Sequence, residues 1–168
     1  MEILNTARLI LRTIKNSDFE QIHKKIFSNP NVVKNTFGSK LFTLEETKEF
    51  LVKNANFDDK IGLSLIVEKD TNEIIGLAGL LKCDYLNDED YEIGFILEES
   101  SWGKGYAKEI GIAQINQAKT DFAKNRVLAA AAPENKSSIK ALESLDFVFE
   151  KEIETKRGKR FIYLIDFL

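Results

Sequence analysis

The residues with the clearest chemical content are Trp102-Gly103-Lys104-Gly105-Tyr106-Ala107, lying between a predicted strand and a long predicted helix. Two glycines let the backbone approach a ligand and turn its N–H groups inward, and the helix that follows adds its positive dipole end. Such a loop is a natural anion site, suited to a phosphate or pyrophosphate; a plain strand-to-helix turn is the alternative. Two familiar phosphate motifs fail. A Walker loop needs Gly-Lys followed by Ser or Thr, and here Lys104 precedes Gly105. A dinucleotide fingerprint needs a third small residue where Lys108 stands, and no βαβ unit precedes the loop. A phosphate ligand of another kind is implied.

Elsewhere the chemistry is sparse. One histidine, His23, and one cysteine, Cys83, leave no cluster for a zinc site or a Ser-His-Asp triad, so no metal is expected. His23, mid-helix among polar residues, reads as a solvated surface side chain. Cys83 reads as a small buried residue at a strand end. Asp84, Asp88, Glu89 and Asp90 form an acidic stretch that could attract a cationic substrate, or simply a solvated loop.

The elements that must position the loop can be read from pattern. Arg8 to Arg12 is a short apolar run, a predicted strand. Ser17-Asp18-Phe19-Glu20 fits a capping box opening a helix to about Phe27, and Thr43-Leu44-Glu45-Glu46 opens a second to about Asn56. Ser28 to Phe42 between them is polar and irregular, with Asn29-Pro30 ending the first helix. Leu63 to Glu68 and Ile74 to Leu81 form a hairpin around residues 69–72. In the strand Tyr91 to Leu97, alternation sets Tyr91, Ile93, Phe95 and Leu97 on one face and Glu92, Gly94 and Ile96 on the other. Ala107, Gly111, Ile115, Ala118 and Phe122 make the predicted buried stripe of the long helix. Arg126 to Ala131 is a strand, Asn135 caps a helix to about Leu145, and Phe147 to Glu154 and Arg160 to Phe167 close the chain as a hairpin. The order β-α-α-β-β-β-α-β-α-β-β predicts an α+β domain spanning residues 1–168, a mixed sheet with helices on its faces.

At 168 residues and a net charge of -3, the chain is long enough for one ordinary core and carries no long basic run. Nucleic acid is not expected as a partner. No apolar run approaches the roughly 20 residues of a membrane span, and no basic stretch precedes an apolar one at the start. A cytoplasmic location is the expectation, consistent with a single cysteine.

The chain resembles the GNAT superfamily of N-acetyltransferases, and within it the group that acetylates ribosomal-protein N-termini. The superfamily loop reads R/Q-x-x-G-x-G/A; Gly105 and Ala107 match its last two elements, while Trp102 replaces the Arg or Gln. Thr6-Ala7-Arg8-Leu9-Ile10-Leu11-Arg12 is similar to the subgroup's T-x-R-L-x-L-R strand, and Tyr91 to Phe95 to its strand before the loop. Asn135 to Ile139 and Leu145-Asp146-Phe147 resemble its N-x-x-S and L-G-F elements. The likeness spans nearly the whole chain in the right order.

That resemblance implies a GNAT fold: a mixed, mostly antiparallel central sheet of about seven strands with about four helices. It implies acetyl-CoA as co-substrate, with the amides of the loop (Gly103, Lys104, Gly105, Tyr106 and Ala107) on the pyrophosphate. It further implies main-chain groups of Ile96 and Leu97 for the pantetheine arm and acetyl carbonyl, Asn135 on the pantetheine, and Ser138 near the thioester sulfur. Asp146 stands where the family usually has glycine, and Leu142 where many members carry a catalytic tyrosine. Ser138 becomes the candidate acid, or else only a first-turn helix residue. Glu92 is either a proton acceptor for the attacking amine, directly or through water, or a strand carboxylate that only hydrogen-bonds. A protein N-terminal α-amine is the expected acceptor; a polyamine, amino sugar or antibiotic, and a non-catalytic acyl-CoA sensor, are the alternatives. Either a monomer or a homodimer fits.

Overall fold

Eight strand segments, some alternating in burial and others, such as Ile74–Cys83, buried almost throughout, build one continuous sheet. The strands are β1 (Glu2–Asn5), β2 (Leu9–Arg12), β3 (Ser64–Glu68), β4 (Ile74–Cys83), β5 (Asp90–Leu97), β6 (Arg126–Ala131), β7 (Val148–Thr155) and β8 (Gly158–Asp166). They lie in the order β1-β2-β3-β4-β5-β6-β8-β7 in a computed structural model that describes residues 1–34, 36 and 39–167. Every junction is antiparallel except β5 with β6, which run parallel and pair at Glu92 and Leu128. Among the described residues no further pair joins these two strands toward Leu97, so the sheet splays there.

Among the described residues five α-helices flank the sheet: α1 (Phe19–Ile22), α2 (Pro30–Val33), α3 (Leu44–Asn54), α4 (Tyr106–Thr120) and α5 (Lys136–Ser144). Phe19, Ile22, Ile26 and Leu51 pack on Leu65, Val67 and Leu77 on one face. On the other, Ile110 meets Leu97, Ala78 and Ile66, while Ala118, Leu142 and Leu145 cover Leu80, Tyr91 and Ile93. Each fully buried side chain of this size contributes about 1.5–3 kcal/mol.

The sheet has eight strands rather than about seven because Glu2–Asn5, too short to show a period, pairs along β2. The α-helices among the described residues number five rather than about four because Pro30 begins one at the point where it ends the previous one. Asn29 caps α2 by accepting from the Asn31 N–H at 2.9 Å, with proline in the first turn, where its missing N–H costs nothing. The predicted Ser17 cap is incorrect. Asp18 instead accepts from Lys15 N–H at 2.8 Å and takes both ends of the Arg12 guanidinium at 2.8 and 2.9 Å. That fork turns Asn16–Asp18 into a 3₁₀ turn, and α1 follows it and widens into a π turn over His23–Phe27. The Thr43 capping box does form, with the Glu46 N–H on the Thr43 hydroxyl at 3.1 Å and the Thr43 N–H on the Glu46 carboxylate at 2.8 Å. The buried stripe of α4 is rotated from the predicted one. Tyr106, Ile110, Gln114 and Gln117 join Gly111 and Ala118 inside, while Ala107 and Ile115 are only partly buried.

Candidate active site

The loop after β5 is fixed by its neighbours on both sides. The Glu98 N–H donates to the Ile75 carbonyl at 2.8 Å, ending the β4–β5 ladder, and Glu99–Ser101 makes one 3₁₀ turn. The Trp102 indole N–H then donates to the Leu97 carbonyl at 3.0 Å. Gly103 and Gly105 hold φ of 75° and 81°, left-handed values that a side chain resists, and α4 starts at the next residue. A Cβ on Gly103 would meet nothing within 4 Å, so the loop's convex backbone is bare. A 15-residue helix behind a bare, left-handed glycine turn fits a pyrophosphate.

A brace from the first strands holds this loop. Glu109 of α4 accepts from the Thr6 hydroxyl at 2.6 Å, the Arg8 N–H at 2.8 Å and the Arg8 Nε at 2.7 Å. Arg8 also donates to the Lys104 carbonyl at 2.9 Å and lies 4.4 Å over the Tyr106 ring. The Tyr106 hydroxyl in turn donates to Glu68. The Thr6-Ala7-Arg8 motif thus orients the loop from behind.

Beside the loop lies a cavity of about 500 Å³ at the β5–β6 splay. Ile96, Leu97, Trp102, Gly103, Gly105, Tyr106, Ala107, Asn135 and Ser138 all line it, with Phe95 and residues of α2. Lys104 and Glu92 are not among its lining residues. Side-chain amides of Asn29 and Asn31 donate to Glu99 at 3.0 and 2.8 Å, tying α2 to the far rim. Because Glu98 pairs with Ile75, alternation turns the main-chain groups of Ile96 toward β4 and those of Leu97 and Phe95 toward the splay. Of the two predicted strand residues, Leu97 therefore presents its N–H to the open side.

Asn135, which lines the cavity, accepts the Ser138 N–H at 3.1 Å through its side-chain oxygen, capping α5 and leaving its amide NH₂ without a partner among the described residues. The Ser138 hydroxyl has no hydrogen-bond partner among the described residues. It is therefore Asn135, not Ser138, that caps the helix. Leu142 is 2% exposed and packs in the core, so no hydroxyl acid stands there. Asp146 takes φ of 68° at the end of α5, the conformation for which glycine is usual, and the Phe147 N–H closes back on Leu142 at 3.1 Å.

Glu92 lies further along β5, on the opposite face from Tyr91 and Ile93. Its carboxylate accepts the Tyr85 hydroxyl at 3.1 Å. Burial pushes this carboxyl up to about 7, against the Tyr85 hydrogen bond and the charge of Arg157, which pull it down. A carboxylate near neutrality can take a proton at physiological pH and pass it on. Burial, with Glu92 and Asp90 adding to it, pushes the Cys83 thiol up to about 12, so Cys83 is no nucleophile.

Other expectations are corrected. His23 is not a solvated surface side chain: it is partly buried, and its Nδ1 shares a 2.9 Å hydrogen bond with the buried Thr47 hydroxyl. The acidic stretch is not simply a solvated loop. Asp90 is 5% exposed and, with Asp88, holds Arg126 at 2.8 and 3.0 Å, leaving less free charge for a cation. Among the described residues no group of three or more His, Cys, Asp or Glu could hold a metal. The sequence reading missed Tyr85, the Arg8–Glu109 brace and the contribution of α2. Only α2 carried a signal, the Asn-Pro start.

The sequence and fold together place the chain among known proteins. Residues 8–148 match the acetyltransferase (GNAT) domain family. Over 95% of its length the chain is 30% identical to an uncharacterized N-acetyltransferase, p20, of Bacillus licheniformis, covering 91% of that protein. A ribosomal L7/L12 α-N-protein acetyltransferase solved with coenzyme A superposes with a TM-score of 0.76 at 16% identity, over 99% of this chain and 98% of that one. The spermidine N-acetyltransferase of Vibrio cholerae, solved with CoA and spermine, gives 0.73 at 18% identity, over 95% and 96%. The chain belongs to the GNAT acetyltransferase family. It is an acetyl-CoA-dependent N-acetyltransferase, an acyltransferase with the GNAT fold.

Proposed function

We propose that the acceptor is the α-amine of a polypeptide N-terminus, attacked in a ternary complex. The observation that carries this reading is the Glu92 carboxyl, which takes one hydrogen bond from the Tyr85 hydroxyl and which burial pushes up to about 7. An α-amine with pKa near 7.7–8.0 costs about 1 kcal/mol to deprotonate at pH 7, against about 4.6 kcal/mol for a lysine near 10.4. One modest base suits the easier proton.

In this mechanism the loop amides from Gly103 to Ala107 and the α4 dipole fix the pyrophosphate of acetyl-CoA, and Asn135 orients its pantetheine. Glu92, directly or through water, takes a proton from the ammonium, and the neutral amine attacks the thioester carbonyl. The Leu97 N–H stabilises the oxyanion. As the C–N bond is made and the C–S bond breaks, Ser138 gives its hydroxyl proton to the thiolate and regains one, directly or through water, from the nitrogen, which sheds it as the amide forms. A protein drawing on acetyl-CoA with one reduced thiol, Cys83, fits the cytoplasm; no described helix is long and apolar enough to cross a membrane.

The test is a matched peptide pair, one with a free N-terminus and no lysine, the other N-terminally blocked with one lysine, run beside spermidine. Faster acetylation of the free N-terminus across pH 7 to 9 is expected. Preference for the blocked lysine peptide or for spermidine overturns the reading, and no thiol release with any amine points to a sensor.

A further inference from the structure

The β7–β8 hairpin carries two guanidiniums toward the face that bears Glu92. Leu128 pairs with Glu92 on one side and with Leu164 on the other, so Leu164 shares the Glu92 face. Alternation along β8 then sets Ile162 and Arg160 on that face too. Arg157, in the hairpin turn, brings its charge to bear on Glu92, Tyr85 and Arg160.

These two arginines differ from the rest of the chain's. Arg8, Arg12 and Arg126 each hold a carboxylate at 2.7 or 2.8 Å. Among the described residues neither Arg157 nor Arg160 makes an ion pair, and the one side-chain hydrogen bond of the pair runs from Arg160 to its neighbouring Lys159 carbonyl at 2.7 Å. Arg160 is half-buried, and burial together with Arg157 weakens its hold on its proton. Glu134 lies within electrostatic reach of Arg160 and Glu92 within that of Arg157, neither of them in ion-pair contact, and Lys159 is itself held by Glu152 at 3.2 Å. Two adjacent, unpaired guanidiniums, one partly desolvated, form a fork that a carboxylate satisfies and a polycation avoids.

We propose that Arg157 and Arg160 form an anion subsite for the acceptor. The amine sits by Glu92, and a carboxylate carried close to it, as on an acidic residue near a polypeptide N-terminus, sits on the guanidiniums. This rests on the α-amine reading above and names the acceptor more narrowly.

The experiment compares lysine-free peptides with free N-terminal alanine that differ at the second and third residues: acidic, amide or basic. The full-length protein, Arg160→Gln, Arg157→Gln and Arg157→Glu are used, with CoA affinity measured by calorimetry. The acidic peptide is expected to show kcat/KM about tenfold above its amide counterpart, the usual scale of a charge-assisted hydrogen bond. Each glutamine variant should bring that ratio toward one, and Arg157→Glu should move the preference to the basic peptide. CoA affinity should not change. Alanine acetylated faster than alaninamide, with that preference lost in the variants, supports the subsite and identifies the α-carboxylate as the anion. Equal rates on all peptides overturn the subsite while leaving the α-amine reading intact. Weakened CoA binding in the variants also overturns it, assigning the guanidiniums to the cofactor. Silent peptides beside active spermidine overturn both.

Discussion

The Trp102–Ala107 side of the cavity is local: one loop, one helix start and a brace from the first strands, with backbone N–H groups as its working parts. The Glu92 patch, outside the cavity lining, is assembled from Tyr85 after β4, Glu92 in β5 and Arg157 and Arg160 of the last hairpin, with side chains as its working parts. The first side meets a ligand shared by the whole family, and backbone amides serve any phosphate equally well. On the proposed reading the second meets the acceptor, where a changed side chain would change the substrate without disturbing the loop.

That contrast can be broken first at the loop. Gly105→Val forces a β-branched residue into φ of 81° and puts a side chain against the phosphate path. Losing two or three charge-assisted amide contacts should weaken CoA binding by about a thousandfold or more. Calorimetry checks it, with circular dichroism to show a folded chain; unchanged affinity would remove the loop from the cofactor site.

On the other side, Glu92→Gln should lower kcat by about a hundredfold with CoA affinity intact. Wild-type kcat should rise with pH through about 7 as Glu92 ionises, and that limb should vanish in the variant. Stability gives an independent reading with the opposite direction. A carboxyl whose folded pKa lies above its unfolded value stabilises the fold below the unfolded pKa and loses that contribution as pH rises toward 7. Glu92→Gln should therefore unfold later than wild type at pH 8, by up to about 3 kcal/mol, with the advantage fading by pH 4. A purely structural Glu92 would shift the unfolding curve and spare the pH–rate limb.

Ser138→Ala belongs to neither side, standing where they meet. It should lower kcat by about tenfold with little change in KM for acetyl-CoA; wild-type kcat would hand the thiolate's proton to water. The smallest effect is expected at Asp146→Gly. Relieving φ of 68° should add about 0.5–1 kcal/mol of stability in urea unfolding, with CoA affinity unaltered.

The same division governs what the sequence disclosed. The loop, β5 and the Asn135 cap are contiguous motifs, and each was readable because its residues are neighbours in the chain. The Thr43 box was readable for the same reason, whereas Ser17 mimicked one until Arg12 and Asp18, six residues apart, took precedence. Glu92 was identifiable as a candidate by alternation. Its partner Tyr85 and the reach of Arg157 were not, because strand order brings them together and no spacing encodes strand order. The four-residue β1 was invisible because so short a segment acquires its form only from β2. The rotation of α4 hid buried glutamines inside a helix whose apolar pattern pointed elsewhere.

Trp102 is the chain's one tryptophan, 48% exposed, with its indole hydrogen-bonded to the Leu97 carbonyl at the cavity wall. Indole emission from the whole protein therefore originates at a single place, the rim of the cofactor loop. On the proposed reading, CoA arriving there would change the polarity around that ring, while an acceptor settling near Glu92 and Arg160 would leave it largely untouched. The molecule thus contains its own optical gauge for one ligand and is nearly blind to the other, so the order in which the two bind can be followed without a label.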